Sequence, residues 1–200
     1  MNKCFDSLKR SKVDLLLFLF IILLVCNTSG CGIPSLFGVI QPLSVGDQWT
    51  YNYGIPSLSS ESLTISITRT LEVDGVEVAE SGNATYGYDY LSNHSDGLYI
   101  YGTSYGMYAT PQLFRKYPCS VGDTWSDALG GTYEVQSIST SITVPAGTFD
   151  CIHYYYSYHN STGHTEHQLY YCVGVGMVRQ DIYLDSSHIL FFELTSYSVL

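Results

Sequence analysis

Three groups of side chains in this 200-residue chain are of the right types to do chemistry. Gly102-Thr103-Ser104-Tyr105-Gly106 spells G-x-S-x-G. In α/β hydrolases that pattern holds a nucleophilic serine on a strand-to-helix elbow. No helical apolar period follows it here and no parallel-sheet pattern precedes it, so an ordinary turn is the expected role. His153, His159, His164 and His167, with Glu166, form the second group. Histidine and carboxylate are zinc ligands, but the loop between them is rich in Ser, Thr and Gly and would support a metal poorly. A solvated loop tip is the expected role, with no metal and no cofactor. Cysteines form the third group. Cys151 and Cys172 lie symmetrically about Asn160–Gly163, nine residues before it and nine after it. A symmetric hairpin sets Cys151 opposite Cys172, His159 opposite His164 and Ser157 opposite Glu166. Directly opposed residues are within disulfide reach, so a Cys151–Cys172 bridge is expected, contributing ~3 kcal/mol by loop closure.

Nineteen tyrosines all follow residue 50. Tyr154, Tyr156 and Tyr158 share one strand face with Ile152, and Tyr155 points the other way. Such a row could stack on a carbohydrate or grip a small apolar ligand. The plainer reading is that Tyr favours half-buried strand positions.

The elements that must carry these residues are strands. Ser62–Leu71 alternates apolar Leu63, Ile65, Ile67 and Leu71 with Thr64, Ser66, Thr68 and Thr70. Asp74-Gly75 then turns the chain into a return strand at Val76. Trp49–Tyr53, Ala84–Tyr90, Leu98–Tyr101, Tyr133–Thr143, Cys151–Tyr158, Thr165–Cys172, Met177–Tyr183 and Ile189–Val199 read as further strands. Gln112–Lys116, after Pro111, reads as a single helical turn. Hydrophobic residues make up 46% and charged residues 13%, which excludes a disordered chain or a long charged helix. The expected class is all-β: a single antiparallel curved sheet or half-barrel, whose closure would cover its edges.

Pro42-Leu43-Ser44-Val45-Gly46-Asp47-Gln48-Trp49 recurs as Pro118-Cys119-Ser120-Val121-Gly122-Asp123-Thr124-Trp125. The recurrence predicts an internal two-fold repeat with a buried tryptophan in each half. Cys119 stands where Leu43 stands, so a buried thiol acting as a small hydrophobe is expected.

The N-terminal thirty residues read as an address. Lys3, Lys9, Arg10 and Lys12 precede the unbroken apolar run Leu15–Cys26. That run is short of the ~20 residues that span a bilayer and fits a secretory signal. Gly30-Cys31 then resembles the lipobox of bacterial lipoproteins, with Thr28 where Leu, Val or Ile usually stands. The expected organisation is a signal peptide over 1–30, a tether over 31–40 and a β domain over 41–200. Cys31 is the expected lipidation site, with ordinary signal cleavage and an uncleaved anchor as the alternatives. Several acyl chains on one cysteine satisfy the rule that stable anchoring needs more than one. The membrane, through that lipid, is then a partner, and the cell envelope the location. With 8 Lys+Arg against 18 Asp+Glu the formal charge is −10, which excludes nucleic acid.

The repeated P-x-x-V-G-x-x-W, the Val144-Pro145-Ala146-Gly147-Thr148-Phe149 turn and Gly174-Val175-Gly176-Met177-Val178 together resemble a family of uncharacterised bacterial secreted proteins and lipoproteins. The resemblance implies an antiparallel half-barrel similar to the periplasmic lipoprotein carriers (LolA-like), and no catalytic residues. Cys172-Val173 departs from the Ala-Pro often found before G-V-G. The expected function is a non-enzymatic ligand-binding or structural envelope lipoprotein. The alternative is a secreted hydrolase using Ser104 or the His153–His167 hairpin.

Overall fold

The computed structural model describes residues 38–56, 58–160 and 163–200. The expected signal peptide, the lipidation site Cys31 and most of the tether lie outside the described residues. Twelve strands form one antiparallel sheet: β1 (Gln48–Gly54), β2 (Ser60–Val73), β3 (Val76–Asn83), β4 (Gly87–His94), β5 (Gly97–Thr103), β6 (Gly106–Lys116), β7 (Thr124–Ser126), β8 (Thr132–Val144), β9 (Gly147–Asn160), β10 (Gly163–Cys172), β11 (Gly176–Leu184) and β12 (Ser187–Ser198). The order is β6-β5-β4-β3-β2-β1-β12-β11-β10-β9-β8-β7. Each strand follows its predecessor round a meander, and the first strand pairs with the last. The two chain-end strands therefore join, and the free edges fall at mid-chain, on β6 and β7. Side chains tie those edges: Trp125 Nε1 donates to the Leu113 carbonyl at 3.0 Å, and the Ala128 amide to Gln112 Oε1 at 3.2 Å. The sheet is thus a nearly closed barrel, more complete than a half-barrel, and exposes little edge.

Two sequence expectations are corrected. Gln112–Lys116 is the end of strand β6, because the edge position tolerates Pro111 and cross-strand pairing with β5 overrides a local turn. Residues Ala84–Tyr86 are not strand. Asn83 Oδ1 accepts from the Thr85 and Tyr86 amides at 3.0 and 2.9 Å, an Asx-type turn that delays β4 to Gly87.

Both motif copies make the same turn. Asp47 N donates to Ser44 O while Ser44 N donates to Asp47 Oδ2; Asp123 and Ser120 do the same. Gly46 N meets Ile67 O as Gly122 N meets Val135 O. Ile67 N donates back to Asp47 O as Val135 N does to Asp123 O, both at 2.9 Å. β1 pairs on both sides, whereas β7 is a three-residue edge strand, so Trp49 is 1% exposed and Trp125 only half-buried. The turn is thus repeated, and the burial of the two tryptophans is not.

Two core clusters fill the interior. In one, the β8–β9 hairpin tip folds onto β11 and β12. Ala146 N donates to Leu194 O at 3.0 Å, and Val144, Phe149 and Cys151 pack with Trp49, Val178 and Leu194. In the other, Ile40 joins Leu91, Leu98, Val135, Tyr154 and Leu169. The chain is therefore packed from Ile40 onward. Gly174 N donates to Val39 O and Asn93 Nδ2 to Gln41 O, fastening this segment across the barrel.

Candidate functional site: the barrel lumen

The two clusters do not meet everywhere. Between them lies a cavity of about 370 Å³, walled by side chains from nine strands and by Gln41. This is within the lower range of small-molecule sites. Trp49, Ile65, Leu91, Phe114 and Met177 form its apolar wall, and Ser81, Asp89, Arg115, Tyr133, Tyr171 and His167 its polar one. A second cavity of about 260 Å³ shares Ile65, Ser81 and Asp89 with it and opens at Tyr86 and Tyr105, both exposed.

Strand alternation aims most of these residues. On β9, Ile152, Tyr154 and Tyr156 face in; on β10, His167, Leu169 and Tyr171 do so opposite them. Tyr154 and Tyr156 of the tyrosine row thus lie within the barrel and contribute wall more than grip. Tyr154 is fully buried with its hydroxyl donating to Lys116 O at 2.8 Å, and Tyr156 donates to Asp127 Oδ2 at 3.0 Å.

Arg115 breaks the alternation. Leu98 pairs with Arg115 but Tyr99 pairs with Leu113, so Phe114 is an extra, bulged residue. A bulge re-aims side chains, and here both Phe114 and Arg115 reach the cavity. The guanidinium is 3.9 Å from the Phe114 ring centre, 4.9 Å from Tyr171 and 5.3 Å from Tyr133. Its Nη1 donates to the Phe114 carbonyl at 2.5 Å, and its Nε has no hydrogen-bond partner. The residue is 3% exposed. Among the described residues, ion pairs reach Arg69, Lys116, Arg179 and His188, but none reaches Arg115. Aromatic faces soften the cost of burying this cation, yet an arginine stays charged in any protein environment.

The other ionisable groups of the lumen respond to burial. Desolvation raises the Asp89 carboxyl, partly offset by the Arg115 charge. It lowers the His167 imidazole to about 4, with Arg115 adding to the effect, while Gln180 Nε2 lies 2.9 Å from His167 Nδ1.

The residues singled out in the sequence do not converge. Ser104 sits in the two-residue β5–β6 turn, where its hydroxyl accepts from Tyr88 N at 2.5 Å. Its described hydrogen bonds run to Tyr88 backbone, not to a base, so it has no nucleophile's setting. The hairpin register is the symmetric one: His159 opposite His164, Ser157 opposite Glu166. Alternation sends His167 to the lumen, while His153 bonds Gln168 at 2.6 Å and His159 stacks on His164 at 3.9 Å. Glu166 accepts from the Tyr155 hydroxyl. Among the described residues no three His, Cys, Asp or Glu side chains gather as a metal-ligand set.

The Cys151–Cys172 bridge is not present: Cys151 carries a free thiol. The β9–β10 ladder ends at Ile152–Tyr171, one pair short, because Cys172 already turns towards β11, with Val175 N donating to Cys172 O. Cys119 is also a free thiol and is half-buried against the second cluster, as Leu43 is.

Arg115 and Asp89 escape sequence reasoning. Arg115 is one of only four Lys and Arg residues after Cys31, and its neighbour Lys116 is another, so its place in Leu113-Phe114-Arg115-Lys116 gives no signal of burial. The bulge that turns it inward leaves no mark on the residue pattern.

A DUF3108-like family model matches residues 134–200, from within β8 to the C-terminus. No curated protein matches. Among solved structures, the chain is similar to a protein assigned as a lipoprotein from Parabacteroides distasonis. That pair shares 14% identity and a TM-score of 0.49, covering 82% of this chain and 100% of the other. It is also similar to a protein assigned as exported, with a YmcC-like fold, from Bacteroides fragilis. There identity is 11% and the TM-score 0.46, with 81% of this chain and 100% of the other covered.

Proposed function

We propose that this protein is an exported lipoprotein of the cell envelope that binds a small, partly apolar molecule in its barrel lumen without chemically transforming it. The observation that carries the reading is the unfilled space of about 370 Å³ between two otherwise dense core clusters. Interiors normally pack to crystal-like density, and an unfilled void costs stability that a bound ligand would restore. The aromatic and aliphatic wall suits an apolar body, and the adjoining cavity at Tyr86 and Tyr105 offers a way in. The N-terminal basic residues, the Leu15–Cys26 run and Gly30-Cys31 support export and lipidation at Cys31. A lipid there holds the acidic domain at a membrane that its own charge would not attract.

Two measurements test this. Mass spectrometry of the protein purified from membranes is expected to find an acylated Cys31 as the first residue; an unmodified N-terminus elsewhere rejects the anchor. Titration with the uncharged fluorophore N-phenyl-1-naphthylamine is expected to give a saturable rise in emission. No saturable rise rejects lumenal binding.

A further inference from the structure

We infer that the lumenal ligand is a monoanion, with a carboxylate head seated on Arg115 and an apolar body lying along Trp49, Ile65, Leu91 and Met177. This rests on the ligand-binding reading above and names the ligand class.

The argument begins with an unmet demand. A guanidinium has five N–H donors in a fixed fork. Arg115 gives one to Phe114 O and has the Tyr133 and Tyr171 hydroxyls within reach, but its Nε–H has no partner although the atom is buried. Buried polar groups are nearly always satisfied, and a buried charge without a counter-charge is costly. Asp89 lines the same cavity but makes no ion pair with Arg115. Burial also favours the neutral form of that carboxyl. The cavity is therefore lined by one fixed cation that stacks among rings and has no ion-pair partner.

The shape of the demand selects the anion. A planar fork matches a carboxylate in a two-point contact. A dianion such as a phosphate monoester would bring a second charge for which the wall has no cation, since His167 stays neutral above about pH 4. The chain's −10 charge repels anions at long range, so the ligand must gain its affinity from the apolar wall and its selectivity from Arg115. The bulge at Phe114 is the device that builds this site. It turns two consecutive residues inward and frees the Phe114 carbonyl to hold the guanidinium in place.

The test displaces N-phenyl-1-naphthylamine with decanoate and with 1-decanol, which share a chain and differ in head charge. For the unmodified protein, decanoate is expected to compete at a concentration about tenfold or more below decanol, the scale of a charge-assisted hydrogen-bonded pair. Arg115→Met is expected to remove that preference, and Arg115→Lys to retain part of it. Equal competition by the two compounds in the unmodified protein would overturn the inference yet leave lumenal binding intact. Failure of both to compete, with no fluorophore binding, would overturn both readings. The wild-type comparison stands even if Arg115→Met does not fold, and a preference that survives in a folded Arg115→Met protein would also refute the assignment.

Discussion

The Arg115 carbonyl oxygen occupies the space beside Gly97 where another residue would carry its Cβ: an added Cβ would lie 2.2 Å from it. Gly97 opens β5 at a φ of +154°, next to the pair Leu98–Arg115. The backbone that presents the lumenal cation is thus seated against a glycine on the neighbouring strand.

Gly97→Ala should therefore destabilise by about 2–4 kcal/mol, combining backbone strain with a clash against main chain. Gly106, at φ +146°, has nothing near its absent Cβ, and Gly106→Ala should cost only the backbone term, about 1–2 kcal/mol. Urea unfolding of the two variants measures the difference. Equal losses would mean that the contact with Arg115 carries no weight.

Asp47 is wholly buried and accepts from Ser44 N at 2.8 Å and from Leu200 N at 2.9 Å, joining the first turn to the end of the chain. Asp47→Ala leaves two donors without partners and should cost about 2–4 kcal/mol, a fall in Tm of roughly 5–15 °C. Asp123 makes the matching bond to Ser120 N, with Lys116 3.0 Å away, but in reach of solvent. Its replacement by Ala should lower the Tm much less. A reversed order would contradict the burial argument.

His167 gives the lumen a pH response. Its pKa is lowered to about 4 by burial, against an ordinary value near 6.5. Above pH 6.5 both folded and unfolded chains are neutral at this site. As pH falls from 6.5 to 4 the unfolded chain gains a proton that the folded one refuses, so stability is lost across that window, by about 3 kcal/mol at most. Asp89, raised by burial, acts in the opposite sense as acid relieves its charge. Thermal unfolding at pH 7 and pH 4.5 should show a smaller decline for His167→Gln than for the unmodified protein. Identical declines would count against a buried neutral imidazole.

Cys119 and Cys151, the free thiols among the described residues, should differ in reactivity. Burial pushes the Cys151 thiol up to about 12 and leaves it fully inaccessible, whereas Cys119 is half-buried and less strongly shifted. Since the thiolate is the nucleophile, iodoacetamide should label Cys119 first in folded protein and Cys151 only after unfolding. Early labelling of Cys151 would show that the β8–β9 tip does not stay docked on β12.

Much of the architecture was legible from residue order because strand alternation and turn chemistry act over a few residues. Leu63, Ile65 and Ile67 alternate as read, up to the bulge before Arg69, Asp74-Gly75 turns with positive φ at both residues, and the β9–β10 register pairs Asn160 with Gly163 as hairpin symmetry predicts. The doubled P-x-S-V-G-D-x-W likewise dictates the same bonded turn twice. What the same pattern could not determine was everything that depends on which strands meet. Closure by β1 and β12, pairing residues 48 and 198, is a long-range matter that no local signal encodes. The end of the β9–β10 ladder at Ile152–Tyr171 is of the same kind: the β11 turn, not hairpin symmetry, decides where that ladder stops. So too with Arg115, whose inward aim comes from a bulge against β5 and whose charge becomes notable only once the closed wall removes water around it. Local sequence specified the strands and their turns. Only the tertiary structure decided what lies inside, because burial is a property of the whole ring.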